Sequence, residues 1–183
     1  MATNKNTKTK QSTKATTPKQ EIKPVEMPVE SKKITAKDID LHQFITVYNG
    51  FQGKLIYKSQ RTGETFEWSD FGTDQEIELI ELKNAKSTHK KYFEYNWFMF
   101  DEDWVVDFLG VKQFYKNAIK IDDFDNIFTL SPVEIKAKIN GLSDGQKESV
   151  AYRAKVLIAE EKIDSNKAIS ALEEALGVEL IER

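Results

Sequence analysis

An α+β body carrying an extended N-terminal arm is the fold that this sequence predicts, on three observations. Apolar residues alternate with a period of two between residues 44 and 69, whereas a helical period takes over from residue 73 to residue 177. Residues 1–36 contain no aromatic residue and three of the four prolines, Pro18, Pro24 and Pro28. Charge is also unevenly divided: that segment holds eight lysines against three glutamates, while the whole chain of 183 residues has 27 basic and 30 acidic side chains. The arm, residues 1–36, therefore carries about +5 and the compact body, residues 37–183, about −8.

The first twenty residues are largely Lys, Thr, Asn, Gln and Ser. Such a composition cannot bury enough apolar surface to offset its ordering entropy. It lacks the apolar stretch of a secretory signal and, having lysine without arginine, differs from a mitochondrial presequence. No later stretch approaches the roughly 18 uninterrupted apolar residues of a membrane span. The expectation is a soluble protein made in the cytoplasm, with no membrane partner. Fully extended, the arm would reach about 120 Å. Its lysines Lys5, Lys8, Lys10, Lys14, Lys19 and Lys23 are the candidate partner-binding residues, ordering on a neighbouring protein or on nucleic acid.

The strand signals come in order. Ile45-Thr46-Val47-Tyr48 is β-branched and aromatic and stops at Asn49-Gly50, Leu55 and Tyr57 alternate with polar-facing positions, and Thr65-Phe66-Glu67-Trp68 alternates again. Between the last two runs Gly63 supplies the left-handed position of a short hairpin loop. These runs predict a small three-stranded antiparallel meander over residues 44–69, ended by Asp70-Phe71-Gly72. Such a sheet is marginal alone and must pack on a helix or another chain.

Helix signals follow. Thr73-Asp74-Gln75-Glu76 has capping-box spacing, and Ile77, Leu79, Ile80 and Leu82 form a stripe, which predicts a helix from Thr73 to about Lys86. A strand through Ile77 and Leu79 competes with this, but the helix formers of Glu81-Leu82-Lys83-Asn84-Ala85-Lys86 outweigh it. Lys91 to Phe100 is the most aromatic stretch of the chain. Asp101 then caps a helix through Trp104, Val105, Phe108 and Leu109, interrupted by Gly110 before Phe114 and Tyr115. Ser131-Pro132-Val133-Glu134 combines a cap, proline at the first helical position and glutamate at the third, with Ile135, Ile139 and Leu142 on one face. Ser143 or Asp144 starts the next helix, carrying Val150, Ala154, Leu157 and Ile158. Asp164 or Ser165 starts the last, with Ile169, Leu172 and Leu176 facing in and Gly177 ending it. A bundle of short helices behind a β-rich front results.

The candidate chemistry is thin. With no cysteine there are no disulfides, thiolate zinc sites or cysteine nucleophiles, and the only histidines are His42 and His89. Neither accompanies a Gly-x-Ser-x-Gly element, and the eight scattered glycines form no phosphate loop. Asp101, Glu102, Asp103 and Asp107 are better explained as acids in a first helical turn than as a cation site. Asp122, Asp123 and Asp125 lack the glycine and closing glutamate of a calcium loop. Lys86, Lys90 and Lys91 run into Tyr92, Phe93, Trp97, Phe98 and Phe100, a pattern that stacks single-stranded bases, yet the same aromatics are what a core of this size needs. The last two helices mimic a helix-turn-helix, but Glu173 and Glu174 would repel a phosphate-lined groove. The expectation is a protein without enzymatic activity, metal or cofactor.

Asn84-Ala85-Lys86, Lys91 through Phe98, Val106-Asp107-Phe108-Leu109-Gly110-Val111 and Ala175 through Arg183 together resemble a group of small, uncharacterised proteins encoded among the structural genes of tailed bacteriophages. The resemblance spans residues 44–183 and carries no functional residue. It implies a virion component of head, neck or tail, with other virion proteins or further copies of itself as partners. A charged arm on an acidic, aromatic-rich body suits a subunit that ties neighbours together. A nucleic-acid-binding or regulatory adaptor working through the arm is the alternative from another class.

Overall fold

A computed structural model describes residues 39–181. The arm and its candidate residues Lys5, Lys8, Lys10, Lys14, Lys19 and Lys23 lie outside the described residues. Strand β1 (Phe44–Asn49) buries Ile45, Val47 and Asn49 and exposes Phe44 and Thr46, the alternation of a half-buried strand. It is the centre of a three-stranded antiparallel sheet in the order β4-β1-β5, between β4 (Asp74–Glu78) and the short β5 (Phe98–Met99). Ile45 lies opposite Ile77, and Tyr48 opposite both Asp74 and Met99. Strands β2 (Leu55–Lys58) and β3 (Thr65–Trp68) form a separate hairpin, Leu55 opposite Trp68 and Tyr57 opposite Phe66. Gly63 takes its loop position at φ +78°.

The α+β class and all three predicted strands are present, but the meander is corrected. β1 does not pair with β2. Its partner is β4, formed by residues predicted to open a helix at Thr73. A turn at Asp70-Phe71-Gly72, with Gly72 at φ +76°, sends the chain back along β1, where the Gly72 amide bonds the Asn49 carbonyl at 2.8 Å. Thr73 caps nothing; its hydroxyl donates to the Asp70 carbonyl at 2.6 Å. Completing the ladder of β1 and burying Ile77 fully against the sheet outweighs the local helical pattern.

Helix α1 (Leu79–Thr88) begins where β4 ends and turns Leu79, Leu82 and Ala85 inward. Two short helices, α2 (Lys91–Glu94) and α3 (Asp103–Leu109), flank β5, and α4 (Lys112–Tyr115) follows directly. The predicted Asp101 cap is also corrected: Glu102 occupies the cap position without a side-chain bond, and the Asp101 carboxylate lies near the Tyr48 hydroxyl, whose pKa it pushes up. A 3₁₀ segment (Ile121–Thr129) leads into α5 (Pro132–Asn140), α6 (Asp144–Ala159) and α7 (Asn166–Leu176). Their caps agree with the sequence. Ser131 and Glu134 form the reciprocal box, Ser143 accepts from the Gln146 amide and Ser165 from the Ala168 amide, and Gly177 ends α7 at φ +69°.

Two apolar clusters result. The first, around the fully buried Trp68, Tyr57, Phe93 and Phe98, joins both sheets to α1 and α3. The second, around Phe124, Ile135, Ile139 and Leu172, joins the 3₁₀ segment to α5, α6 and α7. Phe98 and Phe100 are core residues as predicted, while Trp97 is half-buried, its ring edge-on to Phe51. The clusters meet at residues 95–97. Gly50 donates its amide to the Trp97 carbonyl at 2.8 Å and comes so close that a Cβ would sit 2.1 Å from the Asn96 oxygen. From the other side Gly145, in the first turn of α6, leaves 2.3 Å between a would-be Cβ and the Tyr95 oxygen. Gln146 and Ser149 then bond the Ile119 backbone and the Gly50 carbonyl.

Gly145→Ala drives a methyl group into a backbone oxygen that no rotamer change can move. It should cost about 1–3 kcal/mol, read as a lower urea midpoint at unchanged slope. An unaltered midpoint would show that α6 does not approach Tyr95 this closely.

Candidate functional site

The clusters singled out in the sequence separate in three dimensions. Asp122, Asp123 and Asp125 lie on the 3₁₀ segment, where Asp123 accepts from Asn126 and Asp125 is gripped in fork geometry by Arg153 of α6. The Arg153 guanidinium overcomes the effect of partial burial and holds the Asp125 carboxyl below its usual range. Of the other acidic group, Asp107 pairs with Lys112 at 2.9 Å and Asp103 faces Lys120 at 3.8 Å. Among the described residues no group of three or more carboxylate or histidine side chains is placed to hold a metal ion. His42 is exposed beside Glu78, and His89 ends α1, its amide on the Ala85 carbonyl and its ring edge-on to Tyr57.

Sequence reasoning missed the most shielded carboxylate among the described residues. Glu81, in the first turn of α1, is 2 % exposed. Its Oε1 accepts the Tyr57 hydroxyl at 2.5 Å and its Oε2 the Arg61 Nε at 2.8 Å, with Asn84 at 3.4 Å. Burial alone would raise the Glu81 pKa, but the bonds from Tyr57, Ser59, Arg61 and Asn84 more than offset it and hold the carboxyl below its usual value of 4.5. Burial and the same carboxylate push the Tyr57 hydroxyl far up, so it remains a donor. Every lone pair that faces the protein is therefore engaged, and the group ties the hairpin to α1 rather than facing a cleft.

The surface offers a better candidate. Gly110 ends α3 in the left-handed conformation at φ +63° and lets α4 start at once, so that Val106 and Tyr115 line one cleft with Met99 and Phe100. Its volume is about 230 Å³. The Tyr115 hydroxyl donates to the Phe98 carbonyl at 2.7 Å, and burial keeps it protonated by pushing its pKa up. A second cleft of about 420 Å³, floored by Ile119, Ile127 and Leu130, shares Ala118 and Lys120 with the first. The two form one groove running from β5 to α5.

Lys112, Lys116, Lys120 and Lys138 line that groove against Asp103, Asp107 and Asp123. Lys112 and Lys120 have acidic partners, whereas Lys116 and Lys138 form no ion pair with a described residue. On a body with about −8 of net charge, an apolar trough whose four lysines outnumber its three aspartates suits a segment bearing both apolar and acidic side chains. None of these lysines was singled out in the sequence. Their spacing of four residues from Lys112 to Lys120 is visible there, but the chain folds it across a helix, a turn and a loop rather than one helical face.

Glu81→Gln keeps the shape and removes the charge that Arg61 and Tyr57 address, and should cost about 1–3 kcal/mol at neutral pH. A carboxyl whose folded pKa is depressed stabilises fully above its unfolded value and loses that contribution as pH falls through the folded one. The gap between native and variant urea midpoints should therefore be constant above about pH 5 and shrink toward pH 3; a gap that widens in acid contradicts the assignment. Comparison of the chain with protein-family models, with curated proteins and with solved structures finds no match in any of the three.

Proposed function

We propose that this chain is a non-enzymatic structural or assembly protein, a component of a tailed-phage particle that joins neighbouring subunits through its arm and its body surface. The observation that carries the proposal is the lysine-lined apolar groove, whose lining has the chemistry of a seat for a peptide segment rather than the enclosed form of a substrate pocket. The use made of buried polar groups supports it. Glu81, Gln146 and Ser149 bond neighbouring elements, Asn49 and Ser59 hold their own turns, and the Asn96 amide donates to the Phe114 carbonyl, so these buried polar groups hold the body together. The resemblance to phage structural proteins supplies the setting, and the basic arm supplies a second means of attachment to a partner. No helix among the described residues is long and apolar enough to cross a membrane.

The proposal is tested by sedimentation of a lysate from the source of the chain. The native protein should travel with particles far heavier than its own 21.1 kDa. Replacing Lys116 and Lys138 by glutamate should move it to the light fractions with an unchanged melting temperature, because both side chains are exposed and unpaired among the described residues. Sedimentation of the native chain as a free monomer would overturn the proposal.

A further inference from the structure

We infer that the groove between β5 and α5 receives residues 21–30 of a second copy of this chain, an inference that rests on the assembly reading above. The arm is not uniform. Its first twenty residues carry five lysines and no acid, but Glu21-Ile22-Lys23-Pro24-Val25-Glu26-Met27-Pro28-Val29-Glu30 carries three glutamates against one lysine, with Ile22, Val25, Met27 and Val29 between them. It is the one part of residues 1–36 that combines closely spaced apolar side chains with acidic ones. The groove presents the complement: an apolar floor in which Leu130, 36 % exposed, stands among the nearly buried Met99, Phe100, Val106 and Ile127, and the ammonium groups of Lys116 and Lys138, which have no ion-pair partner among the described residues. Four lysines against three aspartates leave the groove positive, opposite in sign to the segment's surplus of two negative charges.

Chain length permits the exchange. Eight residues separate Glu30 from Ile39, the first described residue, and they span at most about 30 Å. That is enough to cross to an adjoining subunit. Pro24 and Pro28 fix φ at their own positions and so reduce the entropy lost on docking. The lysine-rich residues 1–20 are left beyond the groove to meet an acidic surface.

The experiment uses full-length chains throughout. A variant with Glu21, Glu26 and Glu30 changed to lysine cannot offer its own segment, and serves as the receptor for a fluorescent synthetic peptide of residues 20–31. Anisotropy should show saturable binding in the micromolar range, weakened about tenfold when Lys116→Glu and Lys138→Glu are added and again when Ile22, Val25, Met27 and Val29 of the peptide become serine. Melting temperatures of both receptors should agree. In a mixture of isotopically heavy and light native chains, carbodiimide should join Glu26 or Glu30 of one chain to Lys116 or Lys138 of the other. Absence of saturable binding, indifference to the lysine changes, or cross-links confined to single chains would each overturn the inference. If the peptide fails to bind while the native chain still sediments in large particles, this pairing alone falls; if the chain sediments as a monomer, the assembly reading and the exchange between copies fall together, even where the peptide binds.

Discussion

The close approach of three backbones at residues 95–97 is the constraint on which the rest of the body depends. Asn96 sits in the left-handed region at φ 54° and is wholly buried, its side-chain amide donating to the Phe114 carbonyl. Gly50 presses on it from the end of β1 and Gly145 presses on Tyr95 from the start of α6. No side chain fits at either point. The β-rich cluster and the helical cluster are thereby brought within hydrogen-bonding distance, so that Gln146 satisfies both backbone groups of Ile119 and Ser149 satisfies Gly50. Buried backbone groups at a seam between two apolar clusters need such partners, because leaving one unpaired costs about as much as losing a hydrogen bond outright.

The groove is a product of the same seam. Anchoring Ile119 to Gln146 fixes the connection that follows α4, and that connection supplies Ala118 and Lys120 to both clefts, where they adjoin. The lysines themselves stay outside, since an ammonium group is costly to desolvate and its aliphatic stem can cover apolar surface while the charge remains in water. Charge is treated oppositely at Glu81. There a carboxylate is taken almost wholly out of solvent, and it is tolerable because its bonds to Tyr57 and Arg61 replace those to water.

Much of the fold was legible in the sequence where local chemistry and tertiary structure agree. The Ser131, Ser143 and Ser165 caps, the Gly110 and Gly177 stops and the Gly63 loop all express short-range rules that no distant contact overrode. Residues 74–78 failed because helix and strand patterns overlap in Ile77-Glu78-Leu79, and only the partner strand β1, about thirty residues earlier, decides between them. Strand order failed for a related reason: proximity in sequence favours β1 beside β2, whereas the pairing that forms depends on what else β1 can bury. The groove was not legible, since its lining comes from β5, α3, α4, the 3₁₀ segment and α5, and its cations look in sequence like an ordinary solvated surface.

The β2–β3 hairpin shares no backbone ladder with the three-stranded sheet. It is moored by side chains: the Trp68 indole on the Val47 carbonyl, Gln75 on the Glu67 carbonyl, the Tyr92 hydroxyl on the Ile56 carbonyl, and the Tyr57–Glu81–Arg61 set. Peptide amides of the hairpin are thus coupled to the remainder of the molecule through packing and not through a continuous hydrogen-bonded network. Lifting it away would leave the ladders of β1 intact but expose Trp68 and Tyr57 at the centre of the first apolar cluster and strand the Glu81 carboxylate, so side chains alone tie residues 55–68 to the cooperative unfolding of that core.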